Sequence, residues 1–86
     1  MINLPNALRV FNQVISQGEK KDGVYRLGEL LVWYDFDGYS CYLGYRDLVL
    51  SIYFHSKFSC DYEVDKTLVE FLNLIDNHAS ITENHQ

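Results

Sequence analysis

Leu30-Leu31-Val32-Trp33-Tyr34-Asp35-Phe36-Asp37-Gly38-Tyr39-Ser40-Cys41-Tyr42-Leu43 is the stretch that decides the fold of this chain. Branched and aromatic residues crowd both arms with a period of two, which suits half-buried pleated strands. Asp37-Gly38 between them suits a type I′ hairpin turn, whose two central residues both need positive φ. An antiparallel hairpin over residues 30–43 follows. Working outward, Gly28-Glu29 predicts a type II′ turn from a short strand at 24–27. Gly44 to Asp47 reads as a looser turn, and His55 to Lys57 as another. The middle of the chain is therefore expected to be a four- to five-strand antiparallel meander.

The flanks have a different period. Leu4, Leu8, Phe11 and Ile15 recur at helical spacing, with Ala7 and Val14 widening the stripe. Asn3 can cap this helix, Pro5 is tolerated in its first turn, and Gly18 is a suitable stop with access to positive φ. Lys20 and Lys21 then fall near the negative end of the helix dipole. At the other flank Val64, Leu68, Phe71, Leu72 and Ile75 form a second apolar face, with Asp65 as N-cap and Val64 and Val69 as a hydrophobic staple. Beyond Asn77 the sequence turns polar. The expectation is one α+β domain over 1–78 and a frayed polar tail over 79–86. Its order is N-terminal helix, meander and C-terminal helix, with both helices on one sheet face.

Composition narrows the function classes. With 86 residues the chain fits one core, and 48% hydrophobic content is ample to fill it. The net charge is −5 and the seven Lys and Arg are scattered, so neither nucleic acid nor an anionic membrane is an expected partner. No apolar run approaches the ~20 residues of a membrane span, and the first residues lack a signal-peptide pattern. A cytoplasmic location is expected. Cys41 and Cys60 belong to no C-x-x-C pair, so neither a disulfide framework nor a structural zinc site is expected.

Strand register decides which side chains share a face. Tyr25, Leu27, Leu30, Val32, Tyr34, Phe36, Cys41, Leu43, Leu48, Leu50, Ile52, Phe54, Phe58 and Cys60 are expected on the core face, under the helices. The two cysteines then sit two strands apart, roughly 9–10 Å. That exceeds the reach of a disulfide, and both read as buried free thiols. On the opposite face Asp35, Ser40, Ser51 and Asp61 form a polar row. Beside it Val24, Trp33, Tyr42 and Val49 are expected as neighbours on successive strands. Cross-strand pairing alone accounts for such a row at roughly 0.2–1 kcal/mol per pair. An aromatic-centred stripe on an uncovered face also fits an interface, since Trp and Tyr are favoured anchors.

Several motif resemblances dissolve on inspection. Asp35-Phe36-Asp37-Gly38 echoes the D-x-D-G-T of haloacid-dehalogenase-type phosphatases, but Tyr39 replaces the Thr and the chain is too short for that doubly wound fold. A calcium loop of the EF-hand type needs Gly at its sixth position, and here Gly comes fourth. No catalytic constellation, cofactor or metal centre is recognisable, so an enzyme is not expected. His55 returns to the sheet end that carries the Asp37-Gly38 turn. Asp35, Asp37, Tyr39 and His55 therefore make the alternative reading, a small-ligand or metal-binding site at the sheet end.

Taken together, Gly18-Glu19-Lys20, Tyr25 with Leu27, Asp35-Phe36-Asp37-Gly38-Tyr39, Tyr42-Leu43, Phe54-His55 and Asp61-Tyr62 carry a family resemblance. In order and spacing they resemble the small gammaproteobacterial proteins grouped as domain of unknown function 3081, over about residues 11–74. Ser40 stands where that family is expected to carry Thr. The resemblance implies a bacterial, cytoplasmic protein and no particular activity, cofactor or catalytic residue. The leading expectation is thus a non-enzymatic interaction module, a homodimer or a binder of another protein, acting through Val24, Trp33, Tyr42 and Val49.

Overall fold

The computed structural model of the chain describes residues 2–36, 38–53 and 57–83. The chain begins with helix α1 (Leu4–Gln17). Asn3 caps it, its side chain accepting from the Asn6 backbone N–H at 3.1 Å, and Pro5 lies in the first turn. The buried stripe is Ala7, Val10, Phe11 and Val14, spaced i, i+3, i+4 and i+7. Leu8, expected in that stripe, is 38% exposed, because this spacing turns it to the flank. Gly18 ends the helix with φ −82°, so positive φ is not what it supplies. A Cβ there would lie 2.5 Å from both the Arg26 and Val14 carbonyl oxygens. Glycine is required by the close approach of two backbones.

The strands are β1 (Glu19–Lys21), β2 (Val24–Leu27), β3 (Leu30–Tyr34), β4 (Cys41–Tyr45), β5 (Leu48–Ile52) and β6 (Phe58–Asp61). Among the described residues they form one antiparallel meander of six strands in sequence order, where four to five were expected. The extra strand is β1. Its residues are all charged and exposed, so no apolar alternation announces it. The Asp22-Gly23 turn makes it, with φ +53° and +81° as a type I′ hairpin demands. The lysines expected beside the helix end are strand residues.

The remaining turns set the register. Gly28 has φ +61° in a two-residue connection from Leu27 to Leu30, as a type II′ turn requires. Between β3 and β4 the pairing closes at Tyr34–Cys41, and the loop beyond it is wider than two residues. The Asp35 N–H donates to the Ser40 carbonyl at 2.8 Å, and the Gly38 N–H to the Asp35 carbonyl at 3.1 Å. Asp37 lies outside the described residues. The register is nevertheless the one a turn centred on 37–38 predicts. Between β4 and β5 the expected loose turn is a tight one at Arg46-Asp47, Tyr45 facing Leu48. Gly44 and Tyr45 are therefore strand residues, and the pairing is shifted by two residues from that expected. A shift of two preserves faces and changes neighbours.

Leu30, Val32, Leu43, Tyr45, Leu48, Leu50 and Ile52 share one side of the sheet and are buried. Ala7, Val10, Phe11 and Val14 of α1 join them in one cluster with Phe71 and Ile75 of helix α2 (Asp65–Glu83). Phe11 meets Tyr34 edge-on at 5.6 Å, and Phe71 lies 6.0 Å from Tyr45. Phe36, expected in the core, is fully exposed because pairing stops at Tyr34 and leaves it in the loop. Phe54 lies outside the described residues. Val64, expected on the apolar face of α2, is 51% exposed, since the helix begins only after it. The helical backbone continues past Asn77 to Glu83.

Asp65 is the first residue of α2 and not its cap. The entry to the helix is held by Asp47, in the β4–β5 turn. One of its carboxylate oxygens accepts from the N–H groups of Glu63 and Val64 at 2.8 and 3.1 Å, and the other from the Thr67 hydroxyl at 2.6 Å. The Thr67 hydroxyl, then the Glu63 and Val64 N–H groups, hold the Asp47 carboxyl below its usual 3.8, at about 2. Beside it Arg46 holds positive φ (+54°) while its guanidinium bridges Glu29 at 2.9 Å and Glu70 at 2.8 Å. The turn is thus bound to the β2–β3 turn and to α2 at once. Asn6 adds a tie between the helices, its Nδ2 donating to Asp76 at 3.1 Å.

Gly18→Ala is expected to lower unfolding free energy by about 2 kcal/mol or more in urea titration, because two backbone oxygens must retreat from the new methyl. Asp47→Asn is expected to melt below wild type at neutral pH. Because its folded pKa is depressed, Asp47 contributes fully above about pH 4 and loses that contribution as pH falls toward about 2. The gap in Tm between the two proteins, followed by circular dichroism, should be constant at higher pH and close across that window.

Candidate functional site

The side of the sheet opposite the core cluster carries two ladders. Trp33, Tyr42, Ser51 and Ser59 stand opposite one another on β3 to β6. Val24 shares this side at the β2 end, paired with Lys21 of β1. The adjacent ladder runs Glu19, Arg26, Leu31, Gly44, Val49 and Asp61 across all six strands, counted among the described residues. Val24, Trp33, Tyr42 and Val49 do share a face. The contiguity expected of them does not hold, because the Arg46-Asp47 turn puts Ser51 opposite Tyr42 and moves Val49 one ladder over, opposite Gly44. Ser51 and Asp61 also fall in different ladders, because β5 and β6 pair Ser51 with Ser59 and Val49 with Asp61.

Trp33 and Tyr42 stack, ring centroids 5.4 Å apart and planes 17° from parallel. The indole leans across to the next ladder. A Cβ built on Gly44 would lie 3.0 and 3.2 Å from its six-membered ring and 3.7 Å from the Leu31 Cβ. Gly44 is therefore the floor on which Trp33 rests, and the ring buries backbone that would otherwise be open to water. Leu31 extends the patch. Sequence reasoning missed it, although its place between inward-facing Leu30 and Val32 assigned it outward. Val24, Leu31, Trp33, Tyr42 and Val49 are all half-buried. A concavity of about 620 Å³ adjoins them, lined by Glu19, Lys21, Asp22, Val24, Arg26 and Leu31.

The sheet-end alternative is less assembled. Asp35 and Tyr39 both belong to the exposed β3–β4 loop, Tyr39 being 69% exposed. Asp37 and His55 lie outside the described residues. Among the described residues no three His, Cys, Asp or Glu side chains gather to hold a metal ion. Cys41 and Cys60 are free and half-buried on the core side, with β5 between their strands. Burial pushes both thiols up, which keeps them protonated and unreactive. Among the described residues no helix is long and apolar enough to cross a membrane.

The model of a family described as a protein of unknown function (DUF3081) matches residues 2–85, a longer span than the motifs alone cover. No curated protein and no solved structure matches the chain.

Trp33 is the single tryptophan, so its emission reports on this face alone. Gly44→Ala is expected to displace the indole and alter both its emission and the near-ultraviolet circular dichroism. Stability should change by less than about 1 kcal/mol, because crowding is offset by the better strand propensity of Ala.

Proposed function

Because the chain belongs to the family of proteins of unknown function DUF3081, whose description assigns no activity, we propose a function from its surfaces: a non-enzymatic interaction module that self-associates through the outer face of its sheet. The observation that carries this reading is the Trp33–Tyr42 stack, flanked by Val24, Leu31 and Val49 and standing on the side away from the core cluster. Residues of both helices join the core cluster on the other side. Interface centres favour aromatic anchors and are depleted in charge, which describes this patch and its rim of Glu19, Arg26 and Asp61. A second copy is the partner we favour, since one patch meeting its own image is the commonest form of oligomer. The net charge of −5 speaks against nucleic acid, and the cytoplasm is the setting we assign.

The test is mass in solution by light scattering. Wild type is expected above the monomer mass. Trp33→Ala combined with Tyr42→Ala is expected to lower it while far-ultraviolet circular dichroism stays unchanged. Val49→Lys leaves the stack intact and places a charge in the patch, so it decides the matter if the double variant unfolds. Wild type running as a monomer at roughly 100 µM, a concentration that populates any complex of tighter Kd, would refute the proposal.

A further inference from the structure

Among the described residues the meander has an edge strand at each side, and an edge presents backbone N–H and C=O groups to a further strand. The two edges differ. Edge β1 is Glu19, Lys20 and Lys21, exposed throughout, and charge of that density repels an added strand. Edge β6 has uncharged Ser59 and Cys60 at its centre and charge only at its margins, Lys57 before it and Asp61 at its end. These two charges have opposite sign, and among the described residues neither forms a salt bridge.

The phase of the edge is fixed by one hydrogen bond. The Tyr53 N–H donates to the Lys57 carbonyl at 2.7 Å, which makes 53–57 a hydrogen-bonded pair. In an antiparallel ladder such pairs alternate with non-bonded ones, so Ser51–Ser59 and Val49–Asp61 are hydrogen-bonded too. Lys57, Ser59 and Asp61 therefore turn their backbone groups toward β5. Phe58 and Cys60 turn theirs outward.

We infer that β6 pairs antiparallel with β6 of a second copy, about a two-fold axis through Ser59. Paired residues must share a face, so a symmetric register must be centred on a residue of the strand. Centred on Ser59, Phe58 of each copy exchanges hydrogen bonds with Cys60 of the other. Lys57 then stands opposite Asp61 of the other copy at non-hydrogen-bonded positions, where side chains come closest, and symmetry makes two such ion pairs. Phe58, 42% exposed in one copy, is covered beside Cys60 of the other. Centred on Cys60, Ser59 would face Asp61 and the partner of Lys57 would be Glu63. That residue has already left the strand and gives its N–H to Asp47. Edge pairing lies in the plane of the sheet; the side chains of Lys57, Ser59 and Asp61 are on the Trp33 side, but the contact uses neither Trp33 nor Tyr42, so it is separable from the proposed outer-face contact.

The register is read by cross-linking. In a chain carrying Cys41→Ser and Cys60→Ser, Ser59→Cys puts two thiols across the axis with Cα atoms roughly 4.5 Å apart, within disulfide reach. Mild oxidation is expected to give a covalent dimer, while Glu19→Cys on the opposite edge in the same background gives none. Lys57→Asp and Asp61→Lys should each reduce the cross-linked yield about tenfold by setting like charges opposite each other, and the double exchange should restore it. No cross-link through Ser59→Cys, or no rescue by the double exchange, overturns the inference. So does a wild-type dimer linked through Cys60. Self-association lost in Trp33→Ala/Tyr42→Ala yet untouched by Lys57→Asp would retire edge pairing and leave the outer-face reading in place. The converse result would do the opposite.

Discussion

The Asp47 carboxylate sits in a two-residue turn between β4 and β5 and receives hydrogen bonds from Glu63, Val64 and Thr67 at the entry to α2. Two separate parts of the architecture meet at this point. The tightness of the turn sets which residues of β4 and β5 face each other. The carboxylate then anchors the entry to the last helix, taking the N–H groups of the two residues before it and the Thr67 hydroxyl of its first turn. With α2 begun at that place, Phe71 comes to Tyr45 and closes the core over the sheet. Arg46 reinforces the corner by gripping Glu29 and Glu70, a trio that is exposed and so matters more for geometry than for energy. The backbone of Arg46 accepts a left-handed conformation that a non-glycine residue rarely holds.

The same turn shapes the outer face. Moving the β4–β5 register by two residues brings Gly44 into the sheet, and Gly44 is what lets the Trp33 indole lie flat across two strands. A larger residue there would stand the ring up. The aromatic patch thus depends on a glycine under the ring and on a turn at the far end of the strand as much as on the aromatic residues themselves.

This division explains what the sequence made legible. Helical spacing gave both helices, since apolar residues four apart have no other tidy explanation. Alternation through 30–34 and 48–52 gave the faces, and an error of two residues in register could not disturb them. The strand Glu19–Lys21 was hidden because a fully exposed edge has no buried side to betray it. Its turn, Asp22-Gly23, is as clear a hairpin signal as Asp37-Gly38, but no apolar residue stands in the Glu19–Lys21 arm before it. Asp47 as the anchor of the α2 entry is beyond any local pattern: its partners lie 16 to 20 positions away, and only assembly of the core brings them together. The candidate site was legible as a set and illegible as an arrangement, for Trp33 and Tyr42 could be paired from the first hairpin whereas Val49 depended on a turn of ambiguous length.

Every strand in the sheet pairs with the one made just before it, so each addition closes a short loop and loses little chain entropy. The helices are the exception. They flank the whole meander, yet they pack on each other and share one apolar cluster, with Asn6 reaching Asp76. A chain built this way can zip its hairpins together early and still expose part of the apolar underside of the sheet until the last helix arrives. During synthesis α1 can cover its own share of that underside early, while the share that Phe71 and Ile75 seal stays open to aggregation until those residues have emerged from the ribosome.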